Sequence, residues 1–323
     1  MGAFVTGGSG FLGQHLIRTL RAQGVEVRAL ARSASAVEKV KRAGAQPIPG
    51  DLDDLEALRS GMEGCTVVFH AAAKVHDWGS PSDFHRVNVE GTEQVINVAR
   101  QVASVSRLVH VSTEAVLVGE KPIINVDETR PRPVKPLGLY PQTKAIAEER
   151  VLQANSPELT TVVVRPRFIW GKGDTTLLPR IIENIRNGDF AWISGGRYLI
   201  STCHVKNVCE GLICAAERGQ GGEIYFVTDG SPVEFRSFIT QLTHTQGIDP
   251  GKRSLPRWLV WALAWSFENG WKILKLNDSP PITQTALCMI GQEVTINDTK
   301  ARRDLGYTGV VSRQEGLVEL ACM

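Results

Sequence analysis

The stretch TGGSGFLG, residues 6–13, decides the fold through what stands on either side of it. The run AFVT leads into it and the amphipathic run QHLIRTLRAQG follows, so the glycines lie between a strand and a helix. Gly7 permits a tight turn, Gly10 lets backbone amides approach a ligand, and Gly13 lets the helix pack closely on the strand. An anion there lies at the positive end of the helix dipole, which predicts a dinucleotide pyrophosphate site. The predicted contacts are Gly7, Gly8, Ser9, Gly10, Phe11, Leu12 and Gly13.

Short β-branched runs alternate with helical patterns beyond this loop, as repeated strand–helix–strand units require. Six strands are predicted at residues 3–6, 25–30, 46–51, 66–71, 107–112 and 161–166, and a helix at 207–218 and a strand at 223–228 return to the sheet. The order predicts an α/β fold, a doubly wound parallel Rossmann sheet with a smaller, partly helical C-terminal lobe. Residues 1–169 and 201–230 form the cofactor domain in this interpretation, and residues 170–200 and 231–323 form the substrate lobe.

Helix ends are also readable in the first half of the chain. Ser35 with Glu38 has capping-box spacing, Gly44 suits a C-terminal cap, and Asp53 precedes a short helix that stops at Gly61. The stretch 82–103 carries a helical apolar stripe.

Composition indicates an ordinary globular protein of 323 residues, 42% hydrophobic and 22% charged. The 36 basic and 34 acidic residues are mixed along the chain, so no nucleic-acid partner is expected. Six irregularly spaced cysteines predict reduced thiols and a cytoplasmic location, and no metal site is expected. The first strand begins at Ala3, which leaves no room for a cleaved signal peptide before it.

The end of the second strand bears on the choice of cofactor. An acidic residue there binds the ribose hydroxyls of NAD, whereas a basic residue accepts the 2′-phosphate of NADP. Ala31 stands at this place, and Arg32 with Ser33 can form charge-assisted hydrogen bonds to a phosphate. We therefore predict NADP(H), with NAD(H) as the alternative. The structural interpretation of Arg32 is an ordinary exposed arginine after a strand.

Two later strand ends complete the predicted cofactor site. Asp51, followed by Leu52, ends the third strand within reach of an adenine amino group. The fourth strand ends in small residues that let the backbone lie against the dinucleotide, although alanines after a strand are also routine packing. The contacts predicted there are Ala71, Ala72, Ala73 and Lys74.

The chemistry is predicted at YPQTK, where Tyr140 and Lys144 are four residues apart and share one helix face. A nearby cation favours the phenolate, so we expect the pKa of Tyr140 to fall toward the working pH of a general acid or base. STE closes the fifth strand, and a hydroxyl there can hold a substrate oxygen beside the tyrosine. We favour Thr113, with Ser112 as the alternative.

These motifs, with HAAAKVHDWG, NVEGT, VSTEAV and RPRFIWGKGD, resemble the extended short-chain dehydrogenase/reductases, in particular the 3β-hydroxysteroid dehydrogenase-like branch of the NAD-dependent epimerase/dehydratase superfamily. The resemblance continues through HVKNV, YFVTDG, PPIT and KARRDLGY to the end of the chain. It implies that Tyr140 is the acid/base and that Lys144 binds the nicotinamide ribose. It also implies that Pro166, Phe168 and Ile169, which follow Arg165, line the nicotinamide. Gly119 lies farther from Thr113 than in many relatives, so Glu114 can also enter the site.

The apolar second lobe predicts a bulky apolar ketone or secondary alcohol, sterol-like or β-keto lipid-like, with His76, Glu114 and Trp170 as substrate contacts. One alternative is a nucleotide-sugar epimerase or dehydratase, with second-lobe arginines on the diphosphate. Another is a non-catalytic regulatory protein that senses NADP(H), which the retained tyrosine and lysine disfavour. The candidate arginines are Arg180, Arg186 and Arg197.

Trp258, Trp261 and Trp265 form a helical stripe in the longest apolar stretch, which is shorter than the roughly 20 residues of a membrane span. Core packing is the favoured interpretation. A substrate lid and peripheral membrane contact are the alternatives, and the flanking Arg253 and Lys272 suit anionic headgroups. The family resemblance also allows a homodimer formed through helices on the outer face of the sheet.

Overall fold

A parallel seven-stranded sheet organises the protein, as seen in a computed structural model that describes residues 2–274, 276 and 278–322. The strands are β1 Gly2–Thr6, β2 Glu26–Ala31, β3 Gln46–Pro49, β4 Val67–His70, β5 Arg107–Val111, β6 Ile123–Val126, β7 Thr160–Pro166, β8 Ile169–Trp170, β9 Trp192–Ile193, β10 Leu199–Ile200, β11 Cys203–His204, β12 Glu223–Val227, β13 Val233–Glu234, β14 Ser254–Leu255 and β15 Val294–Ile296. The large sheet has the order β12-β7-β5-β4-β1-β2-β3, and every neighbouring pair in it is parallel. The predicted doubly wound fold is confirmed.

The helices are α1 Phe11–Ala22, α2 Ala34–Ala43, α3 Leu55–Met62, α4 Pro81–His85, α5 Gly91–Gln101, α6 Leu139–Gln153, α7 Leu178–Arg186, α8 Val205–Arg218, α9 Phe235–His244, α10 Arg257–Leu274, α11 Gln284–Ile290, α12 Thr299–Leu305 and α13 Arg313–Ala321. One wide π-helical turn, Arg86–Glu90, joins α4 to α5. The predicted helix over 82–103 is therefore present, with this turn inside it.

Alternation along β1 explains why both faces of the sheet are covered. Ala3 and Val5 pack in a core with residues of α1, α2 and α8, whereas Phe4 packs in a second core with residues of α3, α5 and α6. Side chains of a strand point alternately to opposite faces, so a strand apolar at every position requires helices on both sides. The carboxyl ends of all seven strands then meet at one edge, where loops are free to bind a ligand.

Smaller sheets build the second region, which consists of segments after β7 together with β6. One four-stranded sheet has the order β13-β10-β15-β6, and β8 pairs with β11. A separate apolar cluster joins Trp170, Trp192, Phe235 and Phe238. The division of the chain at residues 169, 201 and 230 stays a prediction.

Two predicted helix caps were wrong by one or two residues. Ser33, not Ser35, caps α2, because its hydroxyl accepts a hydrogen bond from the Ala36 amide at 3.2 Å. Asp54, not Asp53, caps α3 through the Ala57 amide at 3.0 Å. Gly44 ends α2 in the left-handed conformation, as predicted.

The tryptophan-rich helix α10 is not core. Val260 and Ala264 are its fully buried residues, while Trp258 is 72% exposed and Trp265 is 58% exposed. The predicted core packing is therefore wrong, because the helix contacts the protein through one narrow side. Among the helices that the structure describes, none combines the length and the apolarity needed to cross a membrane.

Candidate active site

The glycine loop is shaped for a ligand that approaches the backbone. Gly7 has φ +73°, and a Cβ there would lie 2.7 Å from the amide nitrogen of Ala72. A Cβ at Gly13 would lie 2.1 Å from the carbonyl oxygen of Gly7. Gly10 precedes the first residue of α1 and is exposed. The residues present fit a dinucleotide, because side chains are excluded where its pyrophosphate would meet the helix N-terminus.

The remaining residues of this loop divide between the ligand side and the protein side. Gly8 is buried, and a Cβ there would lie 2.7 Å from that of Ala29. Leu12 packs against the core beneath the sheet, so its side chain holds α1 in place. Phe11 stacks edge-on with His15, whose ring nitrogen lies 2.8 Å from the carbonyl oxygen of Lys172. Ser9 contributes a carbonyl oxygen that accepts a hydrogen bond from Gln14 at 3.1 Å.

The end of β2 presents a cation to the same edge. Ala31 is buried, whereas Arg32 and Ser33 are exposed. Within the described part of the chain, the Arg32 guanidinium is in no hydrogen bond or ion pair with another side chain. The hydroxyl of Ser33 uses a lone pair to cap α2 and keeps its proton available to an acceptor.

Loops after β3 and β4 lie beside the glycine turn. Asp51 is partly buried and accepts a hydrogen bond from the Leu52 amide at 2.8 Å. Ala71 to Lys74 are partly buried, and the Ala72 amide donates to the Thr6 hydroxyl at 3.2 Å. The Lys74 ammonium forms an ion pair with Asp83 at 3.2 Å, so the backbone of Lys74, rather than its charge, faces this edge.

Asn88, in the π-helical turn, fixes that loop. Its amide accepts a hydrogen bond from the Lys74 backbone at 2.8 Å and donates to the Lys74 carbonyl at 3.2 Å. It also donates to the Thr143 hydroxyl on α6 at 3.0 Å. Asn88 and Thr143 were not among the predicted residues, although NVEGT was one of the motifs that carried the resemblance.

Tyr140 and Lys144 lie on α6, which begins after Gly138 and contacts the end of β5. The Lys144 ammonium donates to the Val111 carbonyl at 2.7 Å and lies 3.0 Å from a ring nitrogen of His110. Burial lowers the pKa of Lys144 to about 7, although Glu148 opposes this shift. Lys144 thus joins the catalytic helix to the strand that carries the candidate hydroxyls.

The pKa of Tyr140 is raised above its usual value. Burial of the phenol is the main cause, the Glu114 carboxylate adds to it, and a hydrogen bond with Thr113 opposes it. The expected fall in the pKa is therefore wrong for this arrangement, since Lys144 is turned to β5 and a carboxylate is the charge that disfavours the phenolate.

The two candidate hydroxyls point in different directions. The Ser112 hydroxyl donates to Glu148 at 2.7 Å, and Glu148 also accepts from Arg165 at 2.8 Å. The Thr113 hydroxyl is near enough to the Tyr140 phenol to lower its pKa, and it donates to Glu114 at 2.9 Å. Thr113 thus lies beside the phenol. Ser112 instead bonds to the Glu148 carboxylate, which forms a buried ion pair with Arg165.

Glu114 is buried and forms an ion pair with Arg167 at 2.9 Å. Arg167 in turn donates to the Met289 carbonyl of α11 at 2.6 Å. Glu114 accepts the one proton of the Thr113 hydroxyl and the Ala115 amide donates to the same oxygen at 3.1 Å, so one lone pair of that oxygen is left for a further donor. The prediction that Glu114 enters the site agrees with these contacts, and Arg167 was missed.

The structure separates the remaining predictions. Trp170 is buried in the apolar cluster of the second region and donates to Asp229 at 2.7 Å, and its role as a substrate contact stays a prediction. Phe168 packs in the same cluster, edge-on to Phe235 and Phe238, and its nicotinamide contact stays a prediction. Pro166 is buried at the end of β7, and Ile169 packs against the sheet core. His76 is exposed, whereas its neighbour Asp77 accepts from Thr283 at 2.9 Å.

Two buried histidines lie beside the site, although neither was among the predicted residues. His70 and His110 are register partners at the ends of β4 and β5, with ring centroids 5.1 Å apart. Burial lowers the pKa of His70 to about 3 and that of His110 well below its usual range, and Lys144 lowers both further. In the sequence, His70 immediately precedes AAAK and His110 immediately precedes VST. These equivalent positions at the ends of two strands could have indicated that the two histidines are neighbours.

The lowered pKa of Lys144 predicts a pH-dependent stability. Between pH 7 and 10 the unfolded chain binds a proton at this amine that the folded chain releases, so the free energy of unfolding rises with pH there. The slope approaches about 1.4 kcal/mol per pH unit. Denaturant titrations across this range measure it, and Lys144→Met should remove the rise. An equal rise in both proteins contradicts the assignment.

Comparisons with known proteins give one family match, close sequence relatives and similar solved structures. A sequence profile of the 3-beta hydroxysteroid dehydrogenase/isomerase family matches residues 4–257. The chain is 54% identical to a 4-hydroxy-2-methyl-3-oxo-4-farnesyl-3,4-dihydroquinoline-1-oxide ketoreductase of Stigmatella aurantiaca, over 98% of this chain and 95% of the relative. It is 34% identical to a decarboxylating sterol-4-alpha-carboxylate 3-dehydrogenase of Dictyostelium discoideum, over 98% and 99% respectively. The crystal structure of gox2253 superposes with a TM-score of 0.81 at 26% identity, over 99% of this chain and 96% of that one.

Proposed function

Because the chain belongs to the 3-beta hydroxysteroid dehydrogenase/isomerase family, we propose that it uses NADP(H) to reduce a ketone, or oxidise the alcohol, on a bulky apolar substrate. As a member it is an NAD(P)-dependent short-chain dehydrogenase/reductase acting on CH–OH groups. The observation that carries the proposal is the meeting of Tyr140, Thr113 and Lys144 at the strand ends beside the glycine turn.

The protein's own groups suit the cofactor in the following way. Gly7, Gly10 and Gly13 receive the pyrophosphate, and Arg32 with Ser33 binds the 2′-phosphate. Asp51 lies toward the adenine, and Lys144 binds the nicotinamide ribose. The bound nicotinamide supplies or accepts the hydride.

Tyr140 handles the proton. Its raised pKa keeps the phenol protonated near neutral pH, which suits donation to the oxygen of a ketone as that oxygen gains charge. Thr113 holds a ketone oxygen beside the phenol when its hydroxyl turns its proton from Glu114 to that oxygen, and the Ala115 amide, which donates to the hydroxyl oxygen at 3.1 Å, keeps it in place. In the oxidative direction the same phenol oxygen receives the alcohol proton.

Apolar surroundings support a bulky apolar substrate. Leu137, Trp261 and Met289 are partly buried around the apolar cluster that lies behind the catalytic helix. The relatives named above act, by their names, on a farnesylated dihydroquinoline oxide and a sterol carboxylate. A ketone on a ring or chain with a large hydrocarbon part fits both observations.

The nucleotide-sugar alternative has weaker support. It needs arginines that bind a diphosphate, but Arg180, Arg186 and Arg197 are exposed, and Arg180 faces Asp77 at 3.5 Å. A regulatory protein without turnover is disfavoured by the intact Tyr140 and Lys144.

A substrate screen tests the chemical class. We expect consumption of NADPH with steroid, keto-lipid or prenylated aromatic ketones, because these bury hydrocarbon surface against the second region. Absorbance of NADPH measures turnover, and calorimetry measures binding of uridine and thymidine diphosphate sugars. Micromolar binding of such a sugar, without turnover of apolar ketones, contradicts the proposed substrate class.

Replacing the phenol tests the proton-transfer step. Tyr140→Phe should lower kcat by about 10²–10⁴-fold because a general acid is lost. The dissociation constant for NADPH, measured by fluorescence titration, should stay nearly unchanged. Tyr225→Phe removes a phenol that accepts a hydrogen bond from the Gln220 amide outside the site, and it should retain turnover. Undiminished turnover in Tyr140→Phe would defeat the role given to this residue.

Replacing the cation after β2 tests the cofactor preference. Arg32→Asp should lower the ratio of kcat/KM for NADPH to that for NADH by about one to two orders of magnitude, since a charge-assisted hydrogen bond becomes a repulsion. Arg42→Asp makes the same charge change at an exposed position on α2 and should leave the ratio unaltered. An equal ratio in all three proteins would show that Arg32 does not read the phosphate.

Two proposals concern where the protein acts and with what. A homodimer formed through α5 and α6 is supported by their position together on one outer face of the sheet, where Glu93 of α5 forms an ion pair with Arg150 of α6. A cytoplasmic location is supported by six free thiols, of which five are buried.

A further inference from the structure

Helix α10 leaves an unusual surface on the protein. Six of the fourteen exposed large apolar side chains in the described residues lie between positions 258 and 276. Trp258 and Trp265 are joined there by Ile273, which is 80% exposed, and Leu274, which is 68% exposed. Apolar patches of this kind on a soluble protein mark interaction surfaces.

The attachment of α10 shows which side is left over. Val260 packs with Ile193 and Leu287, and the Glu268 carboxylate accepts from the Gln284 amide at 2.7 Å. Trp258 and Trp265 are seven residues apart, on the same face of the helix and turned away from Val260. The helix therefore has one side fixed to the protein and an apolar side with no cover from the described residues.

Charge around this face is positive. Residues 252–278 contain five basic side chains and two acidic ones, a net charge of +3. Lys252 and Arg253 are exposed just before the helix, and Lys272 is exposed near its end. Glu268 is turned toward α11, which leaves the basic groups to frame the tryptophans.

We propose that this face of α10 is a docking surface for a membrane with anionic headgroups. Tryptophan combines a large apolar ring with an N–H donor and favours the boundary between hydrocarbon and water. A helix with an apolar face and flanking cations lies in that boundary, its apolar side inserted by about 5–10 Å. The flanking lysines then meet the negative surface potential of the lipid.

A second copy of the chain fits the face less well. A two-fold dimer would place the same patch against itself, bringing equal positive charges together. Lipid phosphates supply the opposite charge.

The surface adjoins the region beside the active site. Docking would therefore bring the site close to an apolar substrate in the membrane, a role that rests on the proposed function. The Lys272 ammonium lies 6.0 Å from the centroid of the Trp78 ring, and the adjacent Asp77 binds Thr283 at the start of α11. The other end of α11 reaches Arg167 through the Met289 carbonyl. A hydrocarbon-rich substrate dissolved in the bilayer would thus be taken up beside the site without crossing water.

Vesicle sedimentation with the full chain tests the surface. Vesicles of phosphatidylcholine alone are compared with vesicles of phosphatidylcholine and phosphatidylglycerol in equal parts, at low and high salt. We expect binding to the anionic vesicles that weakens as salt screens the lysines. Failure of the protein to bind anionic vesicles at low salt overturns the proposal.

Matched variants locate the contact. Trp258→Ser with Trp265→Ser should weaken partitioning by about tenfold or more, because the inserted rings are lost. Lys252→Glu with Lys272→Glu should weaken binding to anionic vesicles specifically. Val310→Ser with Val318→Ser removes exposed apolar groups elsewhere and should leave binding unchanged. Equal vesicle binding by the tryptophan variant and the unaltered protein overturns the proposal. So does an unaltered protein that binds no vesicles but forms a concentration-dependent dimer that the tryptophan variant loses.

Turnover of a water-soluble β-keto ester separates this surface from the proposed function. The tryptophan variant should reduce it at the rate of the unaltered protein, since α10 contributes no catalytic residue. Vesicle binding with no turnover of any ketone would support the surface and overturn the proposed function. Turnover without vesicle binding would support the proposed function and overturn the membrane-docking surface.

Discussion

The buried ammonium of Lys144 holds the catalytic helix against the strand that faces it. It donates to the Val111 carbonyl at 2.7 Å and lies beside His110, so α6 is fixed to the end of β5. Tyr140 is one turn earlier on α6 and Thr113 is two residues beyond Val111, which is why phenol and hydroxyl meet. A cation in this place is expensive to bury, and its lowered pKa reports that expense.

Paired charges surround this position. Glu148 binds Arg165 and Ser112, and Glu114 binds Arg167 and Thr113. Removing one partner from a buried pair typically costs about 3–5 kcal/mol because the other charge is stranded. Glu148, on α6, joins Arg165 of β7 to Ser112 just after β5, and Glu114 just after β5 joins Arg167 just after β7, so both pairs hold these strand ends together.

The sequence predicts the sheet and the glycine turn well because their signals are local. Gly7 and Gly13 meet steric demands set by neighbours a few residues away or by the adjacent strand. Arg167 could not be found in this way, since its partner Glu114 is 53 residues distant and no short pattern links them. The core packing predicted for α10 was wrong for a related reason, because apolar spacing shows that a face is apolar but not what covers it. Thr113 and Ser112 are adjacent, and only the fold decides which hydroxyl reaches the phenol.

The hydrogen bonds of Asn88 have a mechanical consequence. The Asn88 side chain forms hydrogen bonds with both backbone groups of Lys74 and with the Thr143 hydroxyl. It therefore connects the loop that follows β4 to the helix bearing Tyr140. The position of that loop is therefore tied to the position of the helix that carries the phenol. The wide turn at Arg86–Glu90 carries Asn88, so this local irregularity of the helix sets the distance between the loop and the catalytic tyrosine's helix.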